Sequence, residues 1–362
     1  MESVLNKFLQ DAKAGLGADK KTTVVIGNEA ADLDSMASAV TYAYFLKSKG
    51  LAENPVPVIN IPLNDFKLRT EAVFLFKEAG VDAGNLISVE DVDLDGLYEK
   101  GNLSLVLTDH NKIGAHQEKY KDAVIGILDH HADDGDYPAG IDKDIRPVGS
   151  ACTLVAERYL EQGEDLLDDS VATLLLGTIL LDTVNLDTQA GRVKPEDEKA
   201  ANALIEKKNL DREGLFEKLQ FEKFNVSSLG SYDLLRKDYK EWDLGGKMCG
   251  IGSVLMPVSD WLKKDEDIVA SFEKYRSERS LDVLLSMNAF TQPEFTRNLI
   301  VYVPDQDLRK KLIDFLESSD LGLERLDTEG VKDAGKIDVY NQKNLGISRK
   351  KLQPMLKDFF SA

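Results

Sequence analysis

The sequence predicts an α/β protein of two domains, an amino-terminal doubly wound and mostly parallel sheet followed by a smaller α/β domain with a mixed sheet. Three observations carry this. Through the first half, short β-branched apolar runs alternate with stretches of helical apolar spacing, the rhythm of parallel strands joined by crossover helices. Beyond Phe224–Gly230, where small polar residues interrupt helical patterning, the rhythm changes. The length of 362 residues suits two domains. The expected boundaries are 1–223 and 231–362, with a linker over 224–230.

Taken in order, the amino terminus reads as a short amphipathic helix and Lys21–Gly27 as the opening strand. Asn28–Ser35 is a loop, with Ser35 a candidate helix cap, and Met36–Lys49 a helix. Pro55–Ile61 is a strand bounded by prolines, Leu68–Ala79 an amphipathic helix, Leu86–Val89 a short strand and Leu94–Lys100 a short helix. Leu103–Thr108 and Ala123–Leu128 are the two core strands, and Ser150–Gln162 and Ser170–Leu181 are helices. From Thr188 to Gly230 the chain is charged and loosely helical. Strands follow at Lys247–Met256, Leu281–Ser286, Leu299–Val303 and Ile337–Tyr340, helices at Asp260–Ser277 and Asp305–Glu317, and a last helix begins near Ser348.

Composition narrows the class. Hydrophobic residues at 43% and charged residues at 30% are ordinary for a globular protein. A net charge of −19 argues against wrapping nucleic acid, which needs a broad basic surface. It leaves room for a small anion, since metals and a local basic patch can set the field inside a cleft. Two cysteines without CxxC spacing read as free thiols, and no stretch approaches the roughly 20 apolar residues of a membrane span. Without a signal-peptide core, a cytoplasmic location and no membrane partner are expected.

The chemistry gathers where apolar segments end. In open α/β sheets ligands sit beyond the carboxyl ends of the strands. The first strand leads into Asn28 and then Asp32 and Asp34; Leu103–Thr108 leads into Asp109 and His110; Ala123–Leu128 leads into Asp129, His130 and His131; and Leu174–Leu181 leads into Asp182. Each acid alone is ordinary cap or turn chemistry. Three of only four histidines at strand ends are harder to dismiss. Carboxylate oxygens suit Mg²⁺ and Mn²⁺, imidazole adds affinity for Mn²⁺ or Co²⁺, and Asp129 could orient an imidazole from behind. Near the carboxyl terminus, Arg349 and Lys350 would fall in the first turn of a helix capped by Ser348. Cations are unfavourable there unless an anion shares the site. Lys240 reads as a lysine on an exposed helix face.

Together these motifs resemble the DHH phosphoesterase superfamily, with a second half similar to the DHHA2 domain and ending in its signature Ser348–Lys351. The resemblance implies an active site in the cleft between the domains and two divalent metal ions. Asp32, Asp109 and Asp182 would hold one ion; Asp34, Asp109, His130 and Asp182 would hold the other. It implies that His131 faces phosphate, that Arg349, Lys350 and Lys240 clamp substrate, and that Asp109, His131, Arg349 and Lys350 serve catalysis. Asn28 stands where manganese-type pyrophosphatases carry a histidine. An amide is a poorer ligand for a transition metal, so Mg²⁺ should be tolerated. Asn28 is expected instead on the substrate side.

The Asp-His-His triplet and the Val56–Pro62 stretch resemble yeast-type cytosolic exopolyphosphatases, whereas prune-like sequences commonly carry Asp-His-Arg. The resemblance implies a monomeric enzyme that hydrolyses terminal phosphoanhydride bonds of inorganic polyphosphate and releases orthophosphate. An inorganic pyrophosphatase, a prune-like phosphodiesterase or short-chain polyphosphatase, and a non-enzymatic prune-like scaffold are the alternatives.

Overall fold

The computed structural model describes residues 3–17, 19–134, 137, 140–291 and 294–361. The chain divides into two compact units, Met1–Lys223 and Phe224–Ala362. The first is built on strands β1 (Thr22–Ile26), β2 (Pro55–Val58), β3 (Leu103–Thr108), β4 (Val124–Asp129) and β5 (Asp142–Ile145). They form one sheet in the order β2-β1-β3-β4-β5, parallel at every pairing. Its helices are α1 (Val4–Ala14), α2 (Leu33–Lys49), α3 (Thr70–Glu78), α4 (Leu94–Glu99), α5 (Ala151–Gln162), α6 (Asp169–Asp182), α7 (Pro195–Lys208) and α8 (Arg212–Phe224).

Parallel strands joined by helices are covered on both faces, so they read as continuous apolar runs. Every residue of β1 is buried, and the inner helices follow suit. Helix α2 is buried from Leu33 to Ala43, and α6 is buried from Val171 to Leu181 except at Thr173. Helix α6 is the more apolar and nearly lacks a polar face, as expected for a helix inside a core.

The second unit holds six strands, β6 (Tyr239–Asp243), β7 (Met248–Val254), β8 (Val283–Phe290), β9 (Thr296–Tyr302), β10 (Leu323–Arg325) and β11 (Ile337–Gln342). Their order is β10-β11-β9-β8-β7-β6. Only β7 with β8 is parallel, so the sheet is mixed. Helices α9 (Ser231–Lys237), α10 (Val258–Lys264), α11 (Ile268–Glu278), α12 (Gln306–Ser318) and α13 (Arg349–Ser361) complete it.

Several expected elements change. Helix α2 begins at Leu33 because Asp32, rather than Ser35, caps it by accepting the Ser35 N–H at 3.1 Å. The strand expected over Pro55–Ile61 ends at Val58, and Leu86–Val89 makes only one bridge, Ile59 to Ser88. The helix expected over Asp260–Ser277 is two, broken at Asp265, whose Oδ1 takes the Asp267 N–H. Lys240 lies on strand β6, not on a helix. The preceding helix stops at Lys237, and the chain then pairs antiparallel with β7, Lys240 opposite Ile251.

Candidate active site

Strands β1, β3 and β4 are neighbours in the sheet, so the segments leaving their carboxyl ends meet. Gly27 follows β1. A Cβ there would come within 2.7 Å of the Ser35 carbonyl oxygen and 2.8 Å of its Cβ, so only glycine lets the strand end pack on the start of α2. That contact places Ser35 Oγ to donate to Asp109 Oδ2 at 2.6 Å. Asp109 leaves β3 in the left-handed region at φ 59°, an unusual posture for a residue with a side chain. It is 2% exposed and also accepts from Asn28 Nδ2 at 2.8 Å.

Asn28 is fully committed. Its Nδ2 donates to the carboxylate and to the carbonyl of Asp109, and its Oδ1 accepts the N–H groups of Ala30 and Ala31. Two donors and two acceptor positions exhaust a side-chain amide. In this arrangement Asn28 orients Asp109 and has no bond to spare.

Asp34 sits in the first turn of α2 and reaches the start of α5. Its Oδ1 accepts from Ser150 Oγ at 2.8 Å and Cys152 N at 2.9 Å, and its Oδ2 from Ala151 N at 2.6 Å. A helix amino terminus is a favourable place for a carboxylate. Asp182 ends α6, and its Oδ2 is buried without a hydrogen-bond partner among the described residues. Burial first, then the Asp34 and Asp32 charges, raise the Asp182 carboxyl well above the usual range. Burial and the Asp34 charge push Asp109 up to about 7, against the hydrogen bonds from His130 and Ser35.

His130 Nδ1 lies 3.0 Å from the Val148 carbonyl, to which it donates, leaving Nε2 3.1 Å from Asp109 Oδ1 and 3.6 Å from Asp34 Oδ2. Burial disfavours its charged form, but the Asp109 hydrogen bond and the Asp34 charge outweigh it and raise the ring to about 10. His131 Nδ1 is 2.8 Å from Asp129 Oδ1. Fully buried Asp129 also accepts the His130 N–H and Asn111 Nδ2, so it orients the second imidazole of the pair and fixes the backbone of the first.

Asn28, Asp32, Asp34, Asp109, His130, His131 and Asp182 all line one cavity of about 420 Å³. Ligand atoms of Asp109, His130 and His131 lie within 4.8 Å of one another. The other two histidines stay outside. His110 Nδ1 meets the Thr108 carbonyl, and exposed His116 pairs with Glu29.

The residues fit a divalent cation on their own chemistry. An orphaned carboxylate oxygen is buried beside two further carboxylates, and an imidazole directs one nitrogen to a backbone carbonyl, the usual support of a ligating histidine.

Sequence reading missed four residues here. Asp197, 0% exposed, accepts both the Gly149 and Lys194 N–H groups and Thr153 Oγ1, tying the Gly149 turn to the start of α7. Gly149, Arg192 and Lys194 line the cavity. Asp197 hides between Glu196 and Glu198, in what reads as an ordinary acidic first turn.

In the second unit, Arg349 opens α13 and donates to the Asp238 carbonyl at 2.8 Å and carboxylate at 2.7 Å. Lys240 and Lys350 are exposed, with no side-chain partner among the described residues.

A parallel sheet that delivers acids and imidazoles from adjacent strand ends builds a site suited to a divalent cation, and comparison with known proteins supplies the family. The amino-terminal domain of the DHH family matches residues 22–179 and the DHHA2 domain residues 217–359. The chain belongs to the DHH family and carries a DHHA2 domain. It is 34% identical to mouse (Mus musculus) exopolyphosphatase PRUNE1, over 99% of this chain and 80% of that protein. It is 33% identical to a putative exopolyphosphatase of Schizosaccharomyces pombe, over 92% of this chain and 90% of that one. A manganese-dependent inorganic pyrophosphatase of Methanocaldococcus jannaschii is 27% identical over 76% of this chain and 86% of its own length.

Proposed function

We propose that this protein is a divalent-metal-dependent exopolyphosphatase, hydrolysing the terminal phosphoanhydride bond of linear inorganic polyphosphate and releasing orthophosphate. The observation that carries it is the unpartnered Asp182 oxygen buried in a cavity shared with Asp34, Asp109 and His130. The names of the mammalian and fission-yeast relatives supply the substrate class. Residues 1–223 are the catalytic domain in this reading and 231–362 the substrate-binding domain.

Asp32, Asp109 and Asp182 would hold one cation, and Asp34, Asp109, His130 and Asp182 a second, with Mg²⁺ or Mn²⁺ the natural occupants and Co²⁺ a further one. When bound, such ions supply Lewis-acid chemistry, withdrawing charge from phosphate oxygens and lowering the pKa of water. The chain's own residues do the rest. Val148 holds His130 with Nε2 toward the carboxylates, and Ser35 and Asn28 fix Asp109. Asp129 holds the Nδ1 side of His131, leaving the other face of that ring for a phosphate oxygen. In the second unit Arg349, Lys350 and Lys240 bind phosphate. Arg349 contributes a planar fork already steadied by Asp238.

A second reading, inorganic pyrophosphatase, is favoured by the similarity to the archaeal manganese-dependent enzyme. Phosphate release from long polyphosphate, tripolyphosphate, pyrophosphate and cyclic AMP, each with Mg²⁺, Mn²⁺ or Co²⁺, separates the two. Faster turnover of pyrophosphate than of longer chains would replace the first reading by the second.

A further inference from the structure

We infer that Arg192 and Lys194 form an anion-binding subsite inside the first unit, taking a phosphate group of the substrate; the identity of that anion rests on the hydrolase reading above. The lining carries four aspartates and two histidines, and Arg192 and Lys194 are its only lysine or arginine among the described residues. Both are exposed, and neither side chain has an ion-pair or hydrogen-bond partner among the described residues.

In a chain of net charge −19 that is informative, because acids are abundant and one, Asp32, is exposed in the same cavity. Of the acids that follow Lys194, Glu196 makes no ion pair among the described residues, and Asp197 is spent on backbone N–H groups and Thr153. The backbone bearing the two cations is held in place. Gly191 turns it at φ 71°, Asp197 accepts the Lys194 N–H at 2.8 Å, and Pro195 opens α7. A Cβ on Gly149 would lie 3.0 Å from the Arg192 carbonyl oxygen, so the segment rests directly on the Gly149 turn.

Three backbone N–H groups at this end of α5 are already committed. The Ala151 and Cys152 N–H groups are taken by Asp34 and the Gly149 N–H by Asp197. Beside His131, the arginine and lysine side chains are the cationic groups the cavity offers phosphate oxygens, a fork for two oxygens and a point charge for a third. They also offset the repulsion that the carboxylate cluster imposes on an incoming polyanion.

The test is steady-state phosphate release from tripolyphosphate by the full chain with Mg²⁺, comparing Arg192→Ala, Lys194→Ala and the double variant with Lys199→Ala, an exposed lysine on the following helix α7 and outside the cavity. Loss of a charged hydrogen bond should raise KM about tenfold or more per residue, with kcat changed far less. Lys199→Ala should match the unmodified chain, and Arg192→Lys should recover part of the loss. A double variant with unchanged KM and unchanged melting temperature overturns the subsite and leaves the hydrolase reading standing. If the unmodified chain hydrolyses no phosphoanhydride, calorimetric binding of tripolyphosphate decides alone. Binding weakened at least tenfold in the double variant supports the subsite; equal binding, or none by either protein, overturns it.

Discussion

The two units hold the charged side chains proposed for function in opposite ways. In the first, Asp34 and Asp109 are 3% and 2% exposed, and every bond that fixes them comes from a neighbouring strand end or helix start. In the second, Lys240 and Lys350 stand in solvent and only Arg349 is tethered, to Asp238. Burying a charge is costly unless donors or counter-ions surround it, whereas an exposed lysine costs little to keep. Altering the first set should therefore disturb chemistry and, to a degree that leaves the fold intact, stability, and altering the exposed lysines of the second should disturb binding almost alone.

The largest expected effect is on turnover. Asp109→Ala removes a carboxylate shared by both proposed ions and should lower kcat by about 10³-fold or more, a loss on the scale of a group that stabilises the transition state. Far-ultraviolet circular dichroism should stay native. Appreciable residual activity would break the bridging role.

Next comes Asp197→Ala, which leaves the Gly149 and Lys194 N–H groups and Thr153 without their acceptor. Urea unfolding should show a loss of about 3–5 kcal/mol, as for breaking one side of a buried charged network. A loss under 1 kcal/mol would mean that water replaces Asp197 readily.

Mn²⁺ or Mg²⁺ should raise the melting temperature of the unmodified chain, since a ligand at about 100 times its Kd adds about 2.7 kcal/mol. Asp182→Ala should lose most of that gain, and an equal gain in both would remove the orphaned oxygen from the argument. The smallest effects belong to the second unit. Arg349→Ala and Lys350→Ala should raise KM for polyphosphate, and Lys350→Ala should shift stability by less than about 1 kcal/mol, the scale of exposed charges. A large stability loss in Lys350→Ala would erase the contrast between the units.

Legibility followed burial. Strands β1, β3 and β4 lie inside a parallel sheet and announce themselves as β-branched apolar runs, and the acids and imidazole that follow them do line one cavity. Edge strands give no such signal. Strand β5, Asp-Lys-Asp-Ile, pairs on one side only and shows solvent a charged face. Strand β6 continues a helix-like sequence, which is why Lys240 reads as helical. Leu86–Val89 is apolar because it is buried, not because it is a strand. At the site, strand ends were visible, but the roles of Asn28, Asp197, Arg192 and Lys194 depend on contacts between segments far apart in sequence. The two free cysteines are both buried, and no helix among the described residues is long and apolar enough to cross a membrane.

The most direct test follows orthophosphate released from long-chain polyphosphate by the purified chain, with Mg²⁺ or Mn²⁺ present and again after chelation. Stepwise release that stops with the chelator, returns on adding the cation and is absent in Asp109→Ala is the expected result. Release indifferent to the cation, or no release from any phosphoanhydride with any of the three metals, would contradict the account.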